Sequence, residues 1–532
     1  MAGKASVYPM KYTLALLLAC AGLITHAAEP PNFVIFYVDD LGWADTSVRM
    51  MEEDPDSASD FHQTPHLQDL AERGMKFSNG YAPAPTCTPS RKSIQFGKTP
   101  GRLQYTFVHD VLALQRKLRW ADETSLADVV KEADAGYVTA HFGKGIGGEQ
   151  MATIGYDVTD EVDGRSGNGN FHGEYVSLKN RIPLPPGNPK RMASLKTSST
   201  QFVAQHGGKR PFLMMVSHYA VHVPHAARAD LIEKYRTLPR GKHCKDEDYL
   251  PADQIPEGRK ISHWRLQYAA MLEEADEGLG AIIAALEKTG QLENTFIIFT
   301  SDNGGGLSPN GPLRAGKATL YEGGLRVPLI ITGPGVQPGT QCNIPVVQWD
   351  LLPTVHDYAM SRQPLPADLD GGSLRSVLEN GNRGRVRRPV EGLVFHYPCY
   401  FAPPLSVIRL GDYKLMEHLL TGEQKLFNIA TDYREKHNLI DKYPQKAANL
   451  KLAMSHYLDS INAENVQEVY QARLTELDRF EQVARKVYSK AIRKAAANGE
   501  PTTEPDAELA RNLERINRNR RECRRNMSGT DF

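Results

Sequence analysis

The chain has 532 residues, 41% of them hydrophobic, enough to bury a substantial core. Its 63 acidic residues balance its 63 basic ones, so the overall charge excludes a strongly basic nucleic-acid binder, and an anionic ligand needs a local basic pocket.

Lys4 and Lys11 precede an apolar run over residues 14–24, and Thr25-His26-Ala27 offers small residues for cleavage. Residues 1–27 therefore read as an export signal, with a periplasmic or secreted product. The run is too short to span a bilayer comfortably, so no stable membrane span is expected. Leu17-Leu18-Ala19-Cys20 also has the form of a lipobox, which keeps lipid anchoring through Cys20 as an alternative. The later cysteines, Cys87, Cys244, Cys342, Cys399 and Cys523, are too few for a disulfide framework. Apart from Cys87, the other four permit two disulfides without specifying them.

Residues 33–38 form a continuous apolar run, read as a buried parallel strand that ends in Asp39-Asp40. Thr64, Pro65 and Gly74 bracket a helix over 65–73. Cys87-Thr88-Pro89-Ser90-Arg91 reads as a loop, since Pro and Ser are common loop residues. A helix over about 125–135 precedes a second strand, 137–142, which runs into Gly143-Lys144-Gly145. The third strand, 212–216, is followed by His218, Tyr219, His222 and His225. Met271, Ala275, Leu279, Ile282, Ile283 and Leu286 recur at helical spacing before a fourth strand, 296–300, which ends in Ser301-Asp302-Asn303. This alternation predicts an α/β domain over 28–385, a mostly parallel sheet with helices on both faces. Over 386–462, pieces at 392–396, 406–410 and 413–417 predict a small antiparallel sheet. From 463 to 532 the chain is charged and helical, a solvated extension ending in the basic stretch 518–525.

Ligands of open α/β sheets bind beyond the carboxyl ends of the strands, where the polar residues here gather. Asp39, Asp40, Asp302 and Asn303 are hard oxygen donors, suited to Ca²⁺ or Mg²⁺ rather than zinc. Asp and Asn also favour turns, but two such pairs after long apolar strands point to a cation. His218, His222 and His225 offer imidazoles for zinc, yet they continue a strand into a loop without a shared face. A general acid is the better use, with His222 chosen among the three. Glycines beside Lys144 and Lys317 allow close approach, which makes these lysines candidates for holding a tetrahedral anion.

Together the motifs resemble the type I sulfatases of the alkaline-phosphatase superfamily, over residues 32–438. The matching pieces are Val38-Asp39-Asp40-Leu41-Gly42-Trp43, the Cys87 pentapeptide, Gly136-Tyr137-Val138-Thr139-Ala140 with Gly143-Lys144, and Ser301-Asp302-Asn303-Gly304-Gly305. Pro312-Leu313-Arg314-Ala315-Gly316-Lys317, residues 321–328, residues 350–354 and Gly411-Asp412-Tyr413-Lys414-Leu415 follow in the same order. The resemblance implies an alkaline-phosphatase-like large domain with a small C-terminal domain. It implies that a maturation enzyme oxidises Cys87 to Cα-formylglycine (3-oxoalanine), whose hydrate is the nucleophile, and that Arg91 steadies that hydrate. Asp39, Asp40, Asp302 and Asn303, with residue 87, would bind one divalent cation, usually calcium, with magnesium as an alternative. Lys144 and Lys317 would neutralise sulfate oxygens, and His222 would protonate the departing sugar oxygen.

Two departures stand out. The family usually shows Gly-Lys-Trp-His, with a histidine where Ile146 stands here; His141 or His172 are the candidates to take its place in the substrate site. The tract after Arg91 reads Gln95-Phe96-Gly97-Lys98 instead of the usual Leu-Thr-Gly-Arg. The segments 141–144, 155–157 and 217–222 resemble polysaccharide sulfatases, which implies a sulfated oligo- or polysaccharide substrate. By analogy this is 4-O-sulfated galactose or N-acetylgalactosamine, in carrageenan-like galactans or glycosaminoglycans. Two other functions compete: phosphate or phosphonate ester hydrolysis, and an inactive glycan-binding protein.

Overall fold

The computed structural model describes residue 3 and residues 29–116, 118–147, 150–160, 188–223, 225–239, 261–306, 310–362, 364–498 and 501–527. The rest of the expected leader, with Cys20, and also His172 and Cys244 lie outside them.

The strands of the large domain are β1 (Asn32–Val38), β2 (Met75–Phe77), β3 (Gly80–Tyr81), β4 (Val138–Gly143) and β5 (Val158–Thr159). They continue as β6 (Phe212–Ser217), β7 (Thr295–Ser301), β8 (Leu329–Thr332), β9 (Thr340–Cys342) and β10 (Val346–Val347). Eight of them form one sheet in the order β5-β4-β6-β1-β7-β8-β2-β9, and β10 pairs separately with β3. From β5 to β7 the pairing is parallel; β8 runs antiparallel to both neighbours.

All seven residues of β1 are buried, as a strand covered on both faces requires. Its pleat sends Phe33, Ile35 and Tyr37 into one apolar layer, and Val34, Phe36 and Val38 into the other. The second layer is filled by Met271, Leu279, Ile282 and Leu286 of the Ile261–Lys288 helix, the spacing seen in the sequence. Ile94, Phe96, Leu126 and Val130 fill the first.

The helix expected over about 125–135 is shorter, Leu126–Lys131, opened by a capping box between Ser125 and Asp128. Gly136 then adopts φ +69° on the way into β4.

In the C-terminal part, β11 (Leu393–Tyr397), β12 (Leu405–Leu410), β13 (Tyr413–His418) and β14 (Gln424–Asn428) form an antiparallel meander. The last of these escapes the sequence reading, since only Leu426 and Phe427 in it are apolar and buried. Helices Pro444–Ser460, Val466–Ala497 and Thr503–Met527 complete the chain. The last two pair side by side, joined by Asn512 Nδ2 donating to Tyr488 Oη at 3.1 Å and Arg520 bonding Glu481 at 2.6 Å. Cys87, Cys342, Cys399 and Cys523 are free thiols. Among the described residues no helix is long and apolar enough to cross a membrane.

Candidate active site

Cys87 is not in a loop: it is the first residue of the helix Cys87–Phe96, a correction to the sequence reading. Proline is tolerated here because the first turn of a helix leaves its N–H groups unpaired anyway, and Pro89 sits in that turn. Ser90 Oγ pins the turn, accepting from Ala84 N and donating to Ala84 O, both at 3.0 Å. At the far end Gly97 takes the left-handed conformation that closes a helix, its N–H donating to Ser93 O at 2.9 Å.

Arg91 stands four positions after Cys87, so both lie on one helix face. The Arg91 guanidinium is buried and ties together the ends of four strands. Its Nε donates to Asp302 Oδ2 at 2.8 Å, and Nη1 donates to Lys144 O at 3.1 Å and to Ser217 Oγ. Nη2 lies 3.8 Å from Asp39 Oδ1, and the guanidinium carbon lies 5.0 Å from the centre of the Tyr37 ring.

Asp39 and Asp40 follow β1. Asp40 has φ +61°, a conformation Asp tolerates better than most residues, and its N–H donates to Asp302 Oδ1 at 3.0 Å. Asn303 Nδ2 donates to Asp40 Oδ1 at 2.8 Å. Lys144 Nζ lies 2.5 Å from Asp39 Oδ2, Lys317 Nζ 2.6 Å from Asp40 Oδ2, and His222 Nε2 3.5 Å from Asp40 Oδ2. Lys144 reaches its place because Gly143 turns at φ +99°, where a Cβ would stand 2.0 Å from Ser217 O. Its N–H donates to that carbonyl at 2.7 Å. Lys317 is seated by its N–H on Gly305 O at 3.1 Å, and the next N–H, of Ala318, bonds Pro85 O at 2.8 Å.

Burial would raise the Asp39 carboxyl, but Lys144, His222 and Arg91 outweigh it and hold it well below the ordinary range. Burial and the neighbouring Asp39 push Asp302 up to about 7. Burial depresses His222, opposed by Asp40 and Asp39. Two oxygens here are buried without a hydrogen-bond partner, Asp39 Oδ1 and Asn303 Oδ1. Buried polar atoms are rarely left so. Ligand atoms of Asp39, Cys87 and Asp302 lie within 4.8 Å of one another, as do those of Asp39, Asp40 and His222. A hard divalent cation fits this set of oxygens.

Cys87, Lys144, Lys317 and His222 share one cavity of about 690 Å³. The other candidate histidines turn elsewhere. His218 is buried with its ring 4.5 Å from Phe36, His225 is half-buried with its ring 5.8 Å from Tyr268, and His141 is buried edge-on to Tyr156. Ile146, in the place of the usual histidine, is buried in the core. The three imidazoles after β6 therefore do not converge as a zinc site would require. Tyr105, His109 and Phe401 also line the cavity, and Lys190 Nζ donates to His222 O at 2.7 Å. None of these four follows a recognisable strand end, so no local pattern marks them. Tyr219, another wall residue, does follow β6.

Residues 31–361 match the sulfatase family, and residues 315–464 match the family described as N-sulphoglucosamine sulphohydrolase, C-terminal. A Formosa agariphila protein named sulfatase is 28% identical over 529 residues, covering 83% of this chain and 90% of that one. Human arylsulfatase A is 29% identical over 440 residues, covering 75% and 76%. Among solved structures, Ps i-CgsB in complex with k-i-k-neocarrahexaose is 23% identical with a TM-score of 0.62, covering 81% of this chain and 93% of that one. A buried arginine tying four strand ends to a helix-terminal cysteine thus sits inside a family match spanning more than half the chain, and the protein belongs to the sulfatase family of sulfuric ester hydrolases.

Proposed function

We propose that this enzyme removes sulfate from a sulfated carbohydrate, with residue 87 converted to Cα-formylglycine by a maturation enzyme. The observation that carries the reading is the convergence of Cys87, Lys144, Lys317 and His222 on one cavity, against a buried carboxylate cluster with two unpartnered oxygens. As an aldehyde hydrate, residue 87 would supply one oxygen to attack the ester and a second to expel the product.

Arg91, held by Asp302, fixes the helix end that carries residue 87. Lys144 and Lys317 face the cavity and oppose the charge that builds on sulfate oxygens in the transition state. His222 Nδ1 donates to Val223 O at 2.7 Å, so Nε2 hands a proton to the departing sugar oxygen from the imidazolium form, which Asp40 Oδ2 at 3.5 Å favours. Asp39, Asp40, Asp302 and Asn303 would hold one Ca²⁺, with residue 87 beside it. When bound, that ion would acidify the attacking hydroxyl and polarise the sulfate. His141 stands outside this set because its ring packs against Tyr156.

For the sugar, 4-O-sulfated galactose or N-acetylgalactosamine of carrageenan-like galactans or glycosaminoglycans is the reading, by analogy with the carrageenan-oligosaccharide complex of a structural relative. An export leader over 1–27 suits an enzyme that meets polymers outside the cytoplasm. The catalytic unit would span 28–385, the small subdomain 386–462 and the extension 463–532.

The test is sulfate release from a panel of defined sulfated saccharides, with aryl sulfate and aryl phosphate alongside, using protein co-produced with a maturation enzyme. Mass spectrometry should show residue 87 with its sulfur replaced by oxygen. Cys87→Ala should lower kcat by about 10⁴-fold or more, with the melting temperature little changed. Faster cleavage of phosphate than sulfate, or sulfur retained at residue 87 in active enzyme, would overturn the proposal.

A further inference from the structure

We propose that the outer face of the last helix, Thr503–Met527, is a second binding track for the sulfated polymer. The inference rests on the carbohydrate reading above and adds a site remote from the reacting atoms.

Arg511, Arg518 and Arg525 recur every seven residues, so they share one face of the helix, with Arg515 and Arg521 flanking them. That face looks outward, because the opposite one is occupied. Asn512 bonds Tyr488 at 3.1 Å, Arg520 bonds Glu481 and Asp478 at 2.6 Å, and Ile516 and Cys523 are buried. Arg511, Arg515, Arg518, Arg521 and Arg525 are all exposed. Arg511, Arg518 and Arg521 form no ion pair with any described residue. Glu514 and Glu522 interrupt the stripe without reversing its positive sign. From Arg511 to Arg525 it runs about 21 Å at ~1.5 Å per residue.

The buried face of the helix's C-terminal part packs through Cys523 in the apolar cluster that also holds Phe107 and Tyr400, and Arg473 of the paired helix lies 4.6 Å over the Tyr400 ring. The next residue, Phe401, lines the cavity. The chain as a whole carries no net charge, so this stripe is a local feature and not part of a general basic surface. A polymer whose one sulfate lies between Lys144 and Lys317 carries further sulfates along its length. Arginines that hold those sulfates raise the effective concentration of the reacting one without touching it.

The experiment replaces the stripe by Arg511→Gln, Arg518→Gln, Arg521→Gln and Arg525→Gln together, since glutamine keeps helix propensity. Circular dichroism and the melting temperature check the fold. In a Cys87→Ala background, retention on an immobilised sulfated galactan is measured against salt. In the active background, kinetics are compared on the galactan and on a sulfated disaccharide. The quadruple variant should elute at lower salt and show a KM for the polymer raised on the order of ten-fold, each exposed pair contributing little. Its kcat and its disaccharide KM should be unchanged. Unchanged retention and polymer KM would overturn the track, as would an equal loss on the disaccharide, or wild-type retention on duplex DNA as strong as on the galactan. Retention needs no turnover, so it judges the stripe even where failure of every sulfated saccharide as substrate has sunk the carbohydrate reading.

Discussion

Of the buried charge clusters among the described residues, one lies at the carboxyl ends of the large sheet and another where that domain meets the small antiparallel sheet. In the second, every carboxylate oxygen faces a cation or a donor, although Glu435 Oε1 makes no hydrogen bond. Glu322 Oε1 faces Lys414 at 2.9 Å, and Glu322 Oε2 meets Arg326 at 2.7 Å and the Tyr81 hydroxyl at 2.6 Å. Glu435 Oε1 meets Lys414 at 2.8 Å, and Glu435 Oε2 accepts from Glu322 N at 2.7 Å. The first cluster holds three carboxylates, but Asp39 Oδ1 and Asn303 Oδ1 are unmatched and its lysines reach a cavity. Buried charge by itself therefore does not mark a site. Lysines that reach the cavity lined by Cys87 distinguish the proposed catalytic cluster from the one between the two sheets.

The contrast is tested most strongly by paired substitutions. Lys414→Met strands Glu322 and Glu435 in the interior and should cost about 3–5 kcal/mol of stability, read from denaturant unfolding. Lys317→Met should cost less stability, since Asp40 keeps Asn303 Nδ2 at 2.8 Å and His222 at 3.5 Å, and lower kcat about 10²–10³-fold, the usual loss when one charge-stabilising group is removed. If the two variants exchange these effects, the assignment of the clusters is reversed.

Chelation should separate the clusters as well. Removing the cation should lower activity and also the melting temperature, by about 3 kcal/mol of stability if the ion is present at a hundred times its Kd. Added Ca²⁺ should restore both, and a melting temperature indifferent to chelator would remove the ion from the carboxylate cluster.

The last effect is confined to a pH window and concerns Glu464, which accepts from Thr106 Oγ1 and pairs with Arg116, both at 2.7 Å. Burial and the facing Asp110 push its carboxyl up to about 8. Its unfolded value lies near 4, so the stability it adds is whole below about pH 4 and is lost as pH rises toward 8. Glu464→Gln should flatten the decline of the unfolding midpoint over that window. An unchanged slope would show that Glu464 does not titrate with folding.

Much of the catalytic edge was legible in the chain before any coordinates. Strands β1, β4, β6 and β7 announce themselves because a strand buried on both faces must be continuously apolar, and the polar residues that follow must lie at one edge of a parallel sheet. Periodicity likewise exposed the Ile261–Lys288 helix, whose apolar positions face the sheet. The helix at Cys87 was not legible, because Pro89 and Ser90 look like loop residues unless the turn is known to be a first turn. Nor could spacing decide which of His218, His222 and His225 meets the cavity: in an irregular segment, side-chain direction has no period.

Sequence therefore sufficed for the elements whose evidence is local, namely apolar runs, helical repeats and strand-end acids. Tertiary structure alone decided the turning of His141 into the core, the cavity wall of Tyr105, His109 and Phe401, and the outward stripe of arginines on the last helix. Each depends on contacts between segments far apart in the chain, and such contacts leave no mark in any short window of residues.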